Sequence, residues 1–225
     1  MQAVFSEETF RFFRQLKRNN HKDWMDENRE RYHGLVTRPF RRLLDEVAPA
    51  VLEIDENFDV MGKGCFSRIN RDIRFAKDKT LYKCQMYLKL HIADGRSGKR
   101  EHGELYVGLN PDSVTAGFRI YAGAKRKESK LAVIGAPRVL ENPKWVAQQK
   151  RRLGKKYESY WYETVKGEWT KREGWPTATE NWKKIGAWIV RKQMKPGAAT
   201  GETFAKDLPK IWKELYPLLK FTSVP

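Results

Sequence analysis

The sequence predicts an α+β fold in which a central antiparallel sheet, a meander, is flanked by N-terminal and C-terminal helices. Three observations carry this. Apolar side chains recur at helical spacing through residues 1–60, switch to a two-residue alternation between 84 and 121, and return to helical spacing beyond Ser129. The 225 residues suffice for a sizeable core, and no Gly/Ser/Pro-rich linker interrupts them. One domain over 1–225 is therefore expected, with a helical layer over 1–60, a basic motif and antiparallel strands over 61–125, and a mixed, mainly helical segment over 126–225.

Ser6 is a good helix N-cap, followed by Glu7 and Glu8 where the helix dipole favours acids. Phe5 and Phe10 then stand as a hydrophobic-staple pair, Phe10, Phe13 and Leu16 share a face, and Asn19-Asn20 reads as the stop. Asp23 caps a second helix carrying Trp24, Tyr32, Leu35 and Val36. Pro39 kinks or restarts it ahead of Phe40, Leu43, Leu44 and Val47. In Cys84–Ala93 the apolar Met86, Leu88, Leu90 and Ile92 alternate with Gln85, Tyr87, Lys89 and His91, as on a half-buried strand. Leu105, Val107 and Leu109 repeat the pattern, as do Val114, Ala116, Phe118 and Ile120, with turn residues Asn110-Pro111-Asp112-Ser113 between them. The connection Asp94–Gly103, with three glycines and the basic Arg96, Lys99, Arg100 and His102, reads as a mobile loop. Asn142-Pro143 reads as the start of a helix with Trp145, Leu153 and Tyr157 on one face. Ala187–Met194 reads as a strand and Thr203–Leu219 as a closing helix with Phe204, Leu208, Ile211 and Leu215 inside. The tryptophans between 161 and 188 read first as core residues, and secondarily as base-stacking groups.

Composition narrows the function classes. With 40% hydrophobic and 12% aromatic residues the chain folds despite 32% charged residues. No run approaches the ~18 apolar residues of a membrane helix, and Met1–Asn20 lacks a signal-peptide apolar stretch, so a soluble, cytoplasmic protein is expected. Cys65 and Cys84 have neither disulfide-framework nor zinc-site spacing, and His21, His33, His91 and His102 show no metal-ligand pattern. Gly62-Lys63-Gly64 lacks a dinucleotide loop's remaining glycines. Ser97-Gly98-Lys99-Arg100 has Arg where a P-loop needs Ser or Thr. Neither a metal nor a cofactor is called for. The net charge of +17 fits a polyanionic partner or a negatively charged surface, or equally a charge excess that only keeps the protein in solution, and it is uneven: residues 1–60 carry −2, 61–130 carry +9 and 131–225 carry +10.

One segment stands apart. Residues 68–83 hold six basic side chains and two aspartates, +4 in 16 residues, while staying rich in apolar side chains. Read as a strand from Phe66, it puts Phe66, Arg68, Asn70, Asp72 and Arg74 on one face and Ile69, Arg71, Ile73 and Phe75 on the other. Arg71 then needs a carboxylate or a bound anion beside it, and Asp72 and Asp78 are the local partners. Arg68 and Arg74 reach solvent or a ligand. Three readings stay open: an Arg–Asp lattice that fastens the loop to the sheet, an anion site, and a catalytic centre.

At this segment the chain resembles the family labelled domain of unknown function 2461, which shares an F-R-I-x-R-D-x-R-F-x-K-D-K-x-x-Y-K core. It stands here as Phe66, Arg68-Ile69, Arg71-Asp72, Arg74-Phe75, Lys77-Asp78-Lys79 and Tyr82-Lys83. Phe12-Phe13, Leu16, Asn19-Asn20, Trp24, Asn28, Tyr32 and Pro39 look like that family's opening, and Pro217-Leu218 like its close. Ser67 is an insertion relative to the core and Leu81 replaces an expected Pro. The resemblance implies a fold and a motif but no activity.

The function expected from the residues is binding of a phosphate-bearing ligand, a small molecule or a nucleic acid, by Arg68, Arg71, Arg74, Lys79 and Lys83. An enzyme acting on that ligand, with Asp72 or Asp78 as general base and Tyr82 as proton donor or orienting group, is one alternative. A non-catalytic protein or nucleic-acid interaction module is the other.

Overall fold

The first helix, α1 (Glu7–Arg18), buries Phe10, Phe12, Phe13 and Leu16 completely. A computed structural model of the chain describes residues 2–62, 64–74, 78–92, 103–121, 130–165 and 168–223. Phe5 packs edge-on against Phe40 at 5.0 Å, and Phe12 lies tilted against Trp24 and Tyr32 at 5.6 and 6.0 Å. α2 (Lys22–Glu27) and α3 (Arg29–Tyr32) follow, and α3 runs through a π turn (His33–Thr37) into α4 (Arg38–Leu52). Pro39 explains the π turn. It has no N–H for the carbonyl of Leu35, and that oxygen instead accepts from Thr9 Oγ1 at 2.9 Å. The proline therefore neither ends the helical path nor leaves a buried acceptor empty.

The meander lies where the alternation places it: β1 (Met86–Leu90), β2 (Glu104–Leu109) and β3 (Val114–Tyr121). Met86, Leu88, Leu90, Val107, Leu109, Phe118 and Ile120 are all buried. Asn110 closes the β2–β3 turn, its Oδ1 accepting from the backbone N–H groups of Asp112 and Ser113 at 2.9 Å. The connection expected to be a mobile loop, Asp94–Gly103, lies outside the described residues apart from Gly103.

The second half holds helices α5 (Lys130–Glu141) and α6 (Trp145–Leu153), strands β4 (Glu158–Val165), β5 (Glu168–Glu173) and β6 (Ile185–Met194), and α7 (Phe204–Thr222). The sheet has six strands in the order β1-β2-β3-β6-β4-β5. β4 and β5 were not expected from the sequence. Trp145 begins α6 with Lys144 as its cap, so Asn142-Pro143 forms the turn between α5 and α6 rather than a cap and first turn, and Tyr157 lies beyond the helix. The chain divides into two compact units, Met1–Leu90 with Tyr106–Thr115 and Met194–Lys210, and His91–Leu105 with Ala116–Gln193 and Ile211–Pro225. Four of their boundaries fall within β2, β3, β6 and α7, and the fifth at the end of β1.

In the second unit Trp182 and Trp188 are fully buried, 5.5 Å apart, with Phe118 5.7 Å from Trp188. Each indole N–H finds an acceptor, Pro176 O at 2.8 Å and Ser159 Oγ at 3.0 Å. Arg138 caps α7 by donating to the carbonyls of Phe221 and Ser223, the latter at 2.8 Å. No described helix is long and apolar enough to cross a membrane.

Candidate functional site

The basic motif folds as an irregular antiparallel hairpin within the first unit. Arg71 N donates to Leu81 O at 2.9 Å, Lys83 N to Ile69 O at 2.7 Å, and Ser67 N to Tyr87 O at 3.0 Å. Bridges pair Phe66 with Leu88 and Asn70 with Tyr82, without a regular strand between them. From Arg68 onward exposure nevertheless alternates in the expected phase: Arg68, Asn70, Asp72 and Arg74 are exposed, Ile69 is buried, and Arg71 and Ile73 are half-buried; Phe66, expected on the face of Arg68, is half-buried instead. Phe75 and Lys77 lie outside the described residues.

The returning arm is held by a side chain 62 residues away. Asn20 Oδ1 accepts from Tyr82 N and its Nδ2 donates to Tyr82 O, both at 2.9 Å, so one amide replaces a strand partner for Tyr82. The same Nδ2 also reaches Cys84 Sγ at 3.6 Å. Asn20 belongs just past α1, and α1 is tied to the β2–β3 turn by Arg14, which donates to Pro111 O at 3.2 Å. These links shape a cleft of about 490 Å³ bordered by three segments: Lys17 and Asn20, the motif from Arg71 to Gln85, and Asn110–Asp112.

Arg71 and Lys83 line this cleft together with Asp78 and Tyr82. Arg71 Nη2 pairs with Asp78 Oδ2 at 3.0 Å, while its Nε is buried with no hydrogen-bond acceptor among the described residues. The expected counter-charge is therefore Asp78, and the pair lies partly in solvent, with side chains 30% and 52% exposed. Asp78 also accepts from the backbone N–H and hydroxyl of Thr80, at 2.9 and 2.8 Å. Those two bonds, then Arg71, hold its carboxyl below the usual range.

Arg68, Arg74 and Lys79 stand apart from the cleft lining. Arg74 grips Asp72 with two parallel bonds of 2.9 and 2.7 Å, which hold Asp72 below the usual carboxylate range. Lys79 Nζ donates to Ile73 O at 2.9 Å. Tyr82 is buried and its phenol interacts with Arg29. Burial pushes the Cys84 thiol up, against the smaller pull of Asn20, Lys17 and Arg71, so it is protonated at neutral pH. Lys17, Asn20 and Asp112 were not singled out from the sequence as site residues. The only signal for Asn20 was its place in the family-like opening.

The architecture is that of an α+β protein with its basic motif folded beside a polar cleft. The chain belongs to the family of conserved hypothetical proteins designated DUF2461, which it matches over residues 8–221. A search of curated proteins found no match.

Proposed function

We propose that the cleft binds a phosphate-bearing anion, with Arg71, Lys83 and Lys17 as its cations. The observation that carries this reading is the state of Arg71. Its guanidinium has five donors, Asp78 takes one end of the fork, and the buried Nε has no acceptor among the described residues. A phosphate oxygen in the cleft meets the part of the fork that Asp78 leaves open, while Lys83 adds charge from the returning arm and Lys17 from α1. Arg68, Arg74 and Lys79 contribute at most to attraction from a distance.

The enzyme reading has less support. Asp72 and Asp78 are both held below the usual carboxylate range, which makes each a weak base at neutral pH, and the Tyr82 phenol interacts with Arg29.

A thermal-shift screen tests the proposal with inorganic phosphate, nucleotides and sugar phosphates on the wild type, Arg71→Ala, Lys83→Ala and Arg74→Ala. A ligand that prefers the folded state raises the melting temperature by mass action. The expected result is a shift lost in the first two variants and kept in Arg74→Ala. A shift that survives Arg71→Ala, or none with any phosphate, refutes the assignment.

A further inference from the structure

The second unit presents a different surface. Along β4 the inward Ser159, Trp161 and Glu163 are buried, so Tyr160 and Tyr162 point to the opposite face. Register puts Lys171 opposite Tyr162, and Trp169, two residues before Lys171 on β5, shares that face. The rings form a continuous chain: Tyr160 to Tyr162 at 6.1 Å, Tyr162 to Trp169 at 5.3 Å, and Trp169 stacked on Tyr121 at 6.1 Å with planes 20° apart. Tyr160, Tyr162 and Trp169 are half-exposed and Tyr121 is exposed. Lys171 Nζ lies 4.4 Å from the Tyr160 ring centre and Arg191 Cζ 5.2 Å from it.

Charge concentrates in the same unit. Its residues include 24 Lys and Arg against 11 Asp and Glu, +13, whereas the first unit has 21 against 17, +4. Five exposed cations, Lys150, Arg151, Arg152, Lys155 and Lys156, fall within seven residues that end just before β4.

We infer that this aromatic face stacks the bases of a single-stranded nucleic acid, with Lys171 and Arg191 meeting its phosphates. A row of rings interleaved with cations is the sequence-tolerant chemistry of single-strand binding, since every base offers a π-face whereas a duplex keeps its bases stacked on one another. Lys171 pairs with Glu173 and Arg191 with Glu158, both at 2.5 Å, but ion pairs at the surface are weakly held and yield to a phosphate. A lipid surface asks for an apolar face that can sink toward the acyl chains, whereas this face interleaves its rings with the charged pairs Lys171–Glu173 and Arg191–Glu158. The surface shares no residue with the cleft of the first unit, so the two assignments stand or fall separately.

The test is fluorescence anisotropy of the full chain with labelled oligothymidylate, a duplex of equal length, and anionic phosphatidylserine vesicles as a third arm. Single strand is expected to bind more tightly than duplex. Trp169→Ala and Tyr162→Ala each weaken it by roughly tenfold, the order expected for loss of one stacked base. Tyr162→Phe, which keeps the ring and guards against misfolding, retains binding, as does Arg71→Ala. Equal affinity for single strand and duplex, binding unmoved by the ring variants, loss of binding in Arg71→Ala, vesicle binding that Trp169→Ala abolishes while oligothymidylate stays unbound, or no binding at low salt would each overturn the inference.

Discussion

Asn20→Ala removes the clamp on the motif, and its cost follows from the bonds in place. The amide donates to Tyr82 O and accepts from Tyr82 N, both at 2.9 Å. A typical intramolecular hydrogen bond contributes about 1 kcal/mol net, and an unsatisfied buried polar group costs about 1–3 kcal/mol. Tyr82 is buried, but water reaches the adjacent cleft and re-solvates part of its backbone, so the estimate is about 2–3 kcal/mol. Asn20→Asp keeps the acceptor for Tyr82 N but sets a carboxylate oxygen where an N–H donated to Tyr82 O, and is expected to lose at least as much as the alanine variant. Urea unfolding of the three proteins measures the differences, with an unchanged slope showing that the denatured state is unaltered. An alanine variant within about 0.5 kcal/mol of the wild type, the range of an ordinary surface substitution, refutes the clamp as what holds this arm.

Arg71→Ala is expected to cost no more than about 1 kcal/mol, because the Arg71–Asp78 pair is partly solvated; the fully buried pair that the alternation suggests would cost about 3–5 kcal/mol, and denaturant unfolding separates the two. Gly135→Ala in α5 should destabilise by about 1–3 kcal/mol, since a Cβ there would come within 2.4 Å of the buried Trp182 ring; a gain in melting temperature, the usual result of Gly→Ala in a helix, would contradict the packing. Arg172, with Lys184 adding to it, holds the Glu163 carboxyl below its ordinary value. Its pairing therefore stabilises the fold above the unfolded pKa of about 4.3, and that contribution is lost as pH falls through the lower folded value. Glu163→Gln should flatten the acid limb of a stability–pH curve, and an unchanged limb would refute the assignment.

The sequence by itself determined the elements whose apolar residues keep one period. α1 was legible because Phe10, Phe13 and Leu16 repeat at helical spacing after a Ser cap, and β1–β3 because one face of each strand is apolar and a turn of Asn, Pro, Asp and Ser links the last two. Periodicity reports a contrast between two faces, and β4 and β5 lack it. In β4 both faces are aromatic, buried Trp161 between half-exposed Tyr160 and Tyr162, while β5 is an edge strand whose Glu168, Thr170, Lys171, Arg172 and Glu173 are exposed. The motif's residue types and the phase of its exposure were legible for the same local reason. Tertiary structure alone decided which of its cations meet at a cleft. Asp72 takes Arg74 and the Ile73 carbonyl takes Lys79, leaving Arg71 and Lys83 to join Lys17, Asn20 and Asp112 from segments that only folding brings together. A period along the chain describes neighbours in sequence, whereas a cleft is made by long-range contacts such as Asn20 on Tyr82 and Arg14 on Pro111, which leave no repeating mark.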